Sequence, residues 1–247
     1  MEHNQHLGPR YYDCGICGHL LRVILTSTEA PQVKAKKPVL NKAVARKVLA
    51  AVDAGLVHGL GDPVPGQMCV EAAVCYALGQ PHGDDPNCVS SVVRTFKIKL
   101  NDSAWSSNSA RAKGMRRVAV AQLGSNKIDN RKFAKELVLG TVKTILPFTF
   151  RGVAAVIPSH KEALEAAALA CEVAKDLSAA DSAASAAHSA AYSAASAASA
   201  ADSAAYSAAS AAHSAARDNM LSMAAEVAVK ALKKCGALGV KWLDLCK

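Results

Sequence analysis

The sequence predicts a mainly α fold. A small basic helical domain with one or two short strands spans residues 1–158, and long Ala/Ser-rich helices packed as a hairpin or bundle follow over 159–247. Three observations carry this. The serines at 178, 182, 185, 189, 193, 196, 199, 203, 207, 210 and 214 make ten steps over 36 residues, a mean step of 3.6, which is the α-helical repeat. The whole stretch 178–216 lacks Gly, Pro, Lys, Arg, Leu, Ile and Val, so nothing in it breaks a helix and no Leu or Ile seam marks a coiled coil. Upstream, apolar residues recur at helical spacing between Gly- and Pro-rich turns.

Residues 1–9 are polar, and 11–26 join a Cys-bearing turn to a short apolar run that fits either a strand or a helix. Pro31 and Pro38 break the next connector. Asn41 then caps a helix over 42–56, with Val44, Val48, Leu49 and Val52 on one face. The turn Asp-Pro-Val-Pro-Gly at 62–66 leads to a second helix that Gly79 ends. Ser90 or Ser91 opens a third element, helix by its Val92, Phe96 and Leu100 spacing and strand by its β-branched content. Helices are expected over 110–123 and 130–146. Pro147 and Pro158 should bracket an apolar connector, and Ser159 with Glu162 forms a capping box. From there a rod of roughly 110 Å at 1.5 Å per residue leads towards Lys234, too long for a compact domain unless it projects or breaks near Asp218 and Asn219 or within the repeat. Gly236 and Gly239 end it, and an apolar tail with Trp242 returns to the core.

A second stripe, Asp181, His188, Tyr192, Asp202, Tyr206 and His213, lies beside the serines, and the remaining face is alanine. Alanine buries little area, so such a helix must be held by close approach over its length. That surface either packs on its own domain or joins copies of the chain, with Ala183, Ala187, Ser189, Ala194, Ser196, Ala205, Ser207 and Ala212 as the self-association residues. Its only formal charges are Asp181 and Asp202, which argue against nucleic acid there, and its serines against a membrane.

The formal net charge is +9. Residues 1–160 hold 21 Lys and Arg against 11 Asp and Glu, while 161–247 hold 8 against 9, so an anionic partner would dock on the N-terminal part. Eight cysteines follow a polar start with no signal peptide, and no segment reads as transmembrane; a cytoplasmic protein with reduced thiols is expected.

Cys14 and Cys17, with His19, have the spacing of half a zinc site, and Cys88 is among the residues that could complete it; ordinary buried thiols are the alternative, and no other cofactor is expected. Cys69 falls at a helix start, where the macrodipole lowers a thiol pKa, and His82 with Asp84 follows in a loop, so a cysteine hydrolase has its inventory without a glycine-rich oxyanion turn. Basic clusters occur at Lys34, Lys36 and Lys37, at Lys42, Arg46 and Lys47, at Arg111, Lys113, Arg116 and Arg117, and at Lys127, Arg131, Lys132 and Lys135. They form either solvated faces or, where they converge, a phosphate-binding surface.

The run GQMCVEAAVCYALGQPHGDDPNCV, continuing through FKIKLNDSAWSSNSAR and RRVAVAQLGS, resembles uncharacterised phage and bacterial proteins that pair such a domain with an alanine-rich repeat tail. The resemblance covers about residues 62–125 and the repeat. It implies a viral or mobile-element origin and no particular activity, although some such tails are described as immunity-like. The expected function is that of a non-enzymatic assembly protein, with the Ala/Ser helix making a homo-oligomer. The alternatives are a nucleic-acid or acidic-protein binder with a zinc site, and an immunity-type inhibitor or cysteine hydrolase.

Overall fold

The computed structural model describes residues 39–176, 178, 179, 182 and 206–247, the side chains of Val156 and of 206–214 excepted. It is mainly α, with 71% helix and, among the described residues, no strand. Polar side chains start most helices where the sequence expects them. Asn41 accepts the Val44 amide at 3.0 Å to open α1 (Lys42–Asp53). Cys69 takes the Ala72 amide on its sulfur at 3.3 Å to open α2 (Val70–Leu78), which Gly79 closes in the left-handed region. Ser90 caps α3 (Ser91–Asn101) through the Val93 amide, and the element left open between helix and strand is a helix. Ser107 caps α4 (Asn108–Ala121), and a 3₁₀ turn at Ser125–Lys127 leads to Asp129, which caps α5.

α5 (Asn130–Val156) runs straight past the expected stop at Pro147. A proline there removes one ladder hydrogen bond and crowds the carbonyl four residues back. Packing on both sides holds the helix together: Val142, Phe150 and Ala154 are buried with Leu164, Ala167, Ala168 and Cys171 of the next helix. The apolar connector expected at 148–157 is therefore its last turns. Read this way, Asn130–Ala155 contains an 18-residue window of mean hydropathy 1.3, long and apolar enough to cross a membrane by length and composition, contrary to the sequence reading; 22% of that window is buried in the fold.

The capping box at Ser159 does not form. Pro158–His160 is a 3₁₀ turn, the Ser159 hydroxyl meets His160 Nδ1 at 3.0 Å, and α6 (Lys161–Val173) starts without a side-chain cap. α6 also ends early. Ala174 is extended, and Asp176 accepts the Ala179 amide at 2.9 Å, so the rod breaks before the repeat. It does not break at Asp218 and Asn219: α7 (Tyr206–Lys234) passes through both, and the Asp218 carboxylate accepts the amide of Ser106 at 2.9 Å and its hydroxyl. A 3₁₀ segment, Leu238–Cys246, forms the tail.

One core joins α1 to α4 with α7, so residues on both sides of position 158 share it: Val48, Val52, Val74 and Met115 are buried with Ala225, Ala228 and Leu232. α7 runs antiparallel to α5, with Met220 beside Thr149, Val227 against Gly140 and Lys234 bonded to Glu136 at 2.6 Å. It approaches by way of glycine notches. A Cβ at Gly140 would lie 2.7 Å from Val227, and one at Gly114 would lie 2.8 Å from Ser222 and 2.3 Å from the Trp105 ring.

Candidate anion-binding face and a buried ion pair

The groove between α4, the C-terminal half of α7 and the tail has a volume of about 450 Å³ and an apolar floor of Val229, Val240 and Leu243. Its walls are charged. Arg117 pairs with Glu226 at 2.7 Å and Lys42 with Asp244 at 2.8 Å, which neutralises both carboxylates of the lining. The Lys42 hydrogen bond holds Asp244 below the usual carboxylate range. Lys230, Lys233 and Lys247 remain, all exposed and without a carboxylate partner among the described residues. They sit where they do because α7 places Lys230 and Lys233 on the side away from its buried Ala228, Ala231 and Leu232. The C-terminal end of α7 is tied to α5 by the Lys234–Glu136 pair at 2.6 Å, and Arg131, Lys132 and Lys135 are exposed near the start of α5.

Of the basic residues singled out from sequence, Arg117 thus lines the groove, Lys42 pairs with Asp244 of its lining, and Arg46 and Lys47 on α1 and Arg131 and Lys132 on α5 are exposed. Arg116 is held by Asp53 through two bonds of 2.7 and 3.1 Å. Arg111 is not an anion ligand. It is buried, donating to the carbonyls of Asn101 at 2.8 Å and Leu56 at 3.1 Å and to Asn108 at 2.6 Å, because its helix turns it inward beside Ala112 and Met115. Lys34, Lys36 and Lys37 lie outside the described residues, as do Cys14, Cys17 and His19. Lys230, Lys233 and Lys247 were missed because the C-terminal part is acidic in sum, which conceals how few of its acids lie near the groove.

No family model, curated protein or solved structure matches the chain. The site stands on its own geometry.

The thiol expectation is corrected. Cys69 is buried, and that burial pushes its pKa up rather than down, outweighing the Ala72 amide. Cys88 is raised in the same way, and Cys75 is pushed up to about 12. His82 sits in an exposed loop with Nε2 2.9 Å from the Gly61 carbonyl. Asp84 does share a cavity of about 40 Å³ with Cys69, Glu71, Asn101 and Asp102, enough space for a water molecule. Among the described residues no three His, Cys, Asp or Glu side chains are placed to hold a metal ion.

Beside these thiols lies a feature the sequence reading passed over. Lys97 of α3 and Glu71 of α2 meet at 2.8 Å with neither side chain exposed, and neither has another hydrogen-bond partner among the described residues. Burial raises the Glu71 pKa and lowers that of Lys97, and each opposes the shift of the other. The available signal was one glutamate inside the otherwise apolar run VEAAVCYAL. The pair ties α2 to α3, and below it Asn101 accepts the Val70 amide at 3.2 Å and donates to the Val57 carbonyl at 2.9 Å.

Proposed function

We propose that the protein is a non-enzymatic structural protein that docks a polyanion, the phosphate backbone of a nucleic acid, on its basic groove, with the alanine-rich segment as a packing element. The observation that carries this is the set Lys230, Lys233 and Lys247 around a groove whose two carboxylates are already neutralised. An ammonium with no carboxylate nearby gains most from a phosphate, and such contacts release counterions from the nucleic acid. Duplex is favoured over single strand, because aromatic residues are only 4% of the chain and none lines the groove for bases to stack on. A reducing, cytoplasmic setting suits the six described cysteines, all of them free.

The test is retention of short duplexes by the full chain across a salt series. Affinity should fall steeply with salt, and replacing Lys230, Lys233 and Lys247 by alanine should lower the slope of log affinity against log salt by roughly 3. No retention at low salt, or retention indifferent to salt, removes the reading. Self-association through Ala183, Ala187, Ser189, Ala194, Ser196, Ala205, Ser207 and Ala212 is the competing arrangement, and those side chains lie outside the described residues. Light scattering on the full chain decides it: a monomeric mass at every concentration ends it.

A further inference from the structure

α5 packs on α6 along one side and on α7 along another, and a third side is left over. On it Val138, Thr141, Ile145, Phe148 and Gly152 follow at alternating steps of three and four residues, and Ala134 and Ala155 continue the spacing at the two ends, ~32 Å of one helix face. Val138 is 51% and Phe148 37% exposed, and neither they nor the half-buried Ile145 join either apolar core among the described residues. The Thr141 hydroxyl donates to the Leu137 carbonyl at 2.9 Å, so the helix itself already satisfies that donor. Gly152 is the odd member. A glycine inside a helix lowers its stability relative to alanine, and at Gly114 and Gly140 a close neighbour within the fold explains it. A Cβ at Gly152 would have no described atom within 4 Å, so no packing among the described residues requires the vacancy.

We propose that this side of α5 is where a second copy of the chain docks, the two α5 helices lying antiparallel about a twofold axis at Ile145. Such an axis brings Val138 of each copy level with Gly152 of the other, Phe148 level with Thr141, and Ala134 level with Ala155. Each bulky side chain off the axis then meets a small one, and Ile145 meets its own counterpart, which is the self-complementarity a twofold interface needs. Charge selects the antiparallel sense. Arg131, Lys132 and Lys135 are exposed near the start of α5, and a parallel pair would set them against their counterparts. Reversed, they come level with residues 155–159, at the carbonyl end of the other α5. The stripe itself bears no formal charge, and Arg151 beside it is engaged by Glu165 and Glu172. A lipid surface rewards bulk, and a glycine and a threonine give it little to bury. None of these residues lines the basic groove, so dimer mass and duplex retention are separate readouts.

Sedimentation equilibrium of the full chain over a range of concentrations tests this, the expected result being a reversible passage from one chain to two. Gly152→Val fills the vacancy and should raise the dimer dissociation constant at least about tenfold, with helical content unchanged in circular dichroism. Val138→Gly with Gly152→Val again sets a large residue level with a small one, and should recover most of the lost affinity. Ile145→Glu places like charges on the axis and should leave single chains only. A chain that stays single at every concentration overturns the proposal. So does a dimer that Gly152→Val and Ile145→Glu leave untouched, the result expected were the alanine-rich segment the contact. Failure of the exchange to recover affinity overturns it too, because a parallel pair would set Val138 against Val138. Association that needs phosphatidylcholine–phosphatidylglycerol vesicles assigns the face to lipid and likewise overturns it.

Discussion

A lysine ammonium enclosed by protein is tolerable only while its counter-charge stays in place, so Lys97 and Glu71 should respond very differently to single and double replacement. Lys97→Ala leaves an uncompensated carboxyl in the core and is expected to cost ~3–5 kcal/mol. Lys97→Met with Glu71→Leu removes both charges and fills the space, and is expected to fall within about 1 kcal/mol of the parent. Urea unfolding followed by Trp105 fluorescence measures both. A double variant as unstable as the single one would show that the pair stabilises the fold by more than mutual compensation. Arg111 teaches the same lesson from the other side: its guanidinium serves three main-chain and side-chain acceptors, a role invisible in a list of basic residues.

Among the elements, α5 departs most from its sequence. An interior proline costs ~3 kcal/mol relative to alanine in a helix, so Pro147→Ala should raise the urea midpoint, by up to that amount, with helical content unchanged in circular dichroism. A fall in stability would mean that the buried ring itself packs better than the methyl that replaces it. The starts of α1 to α4 were legible from Asn41, Cys69, Ser90 and Ser107 or residues beside them, because a cap is a local interaction written in a few neighbouring positions. The run through Pro147 and the end of α6 at Val173 were not, because each is decided by partners distant in sequence. Alanine, glutamate and valine before the break are all compatible with continuing the helix, and only Asp176 hinted at a new start. The basic groove was partly legible: Arg117 stood out, and so did Lys42, which pairs with Asp244 of its lining, while the lysines of α7 needed the fold to bring them to the same side.

Taken whole, the molecule is expected to lose stability in alkali. All six described thiols are raised by burial, Cys75 to about 12. A thiol near its ordinary pKa of about 8.5 in the unfolded chain loses its proton there first, so the unfolded state binds fewer protons and stability falls as pH rises. Their contribution is complete below that value and is lost on the way to the folded-state pKa. Cys75 alone should contribute a decline of ~1.4 kcal/mol per pH unit between about 9 and 12, and Cys75→Ala should flatten the stability curve there. An unchanged slope in urea titrations at pH 9 to 10.5 would contradict it.

The fastening of α7 reaches further than the helix itself. Asp176 marks one end of the alanine-rich stretch and the Ser106–Asp218 bond pins the other, while Ala225 to Leu232 beyond it complete the core. The stretch is therefore an insertion rather than an appendage. Cutting the chain at its start would strip a wall from the interior, because Ala225, Ala228 and Leu232 come from the far side of it.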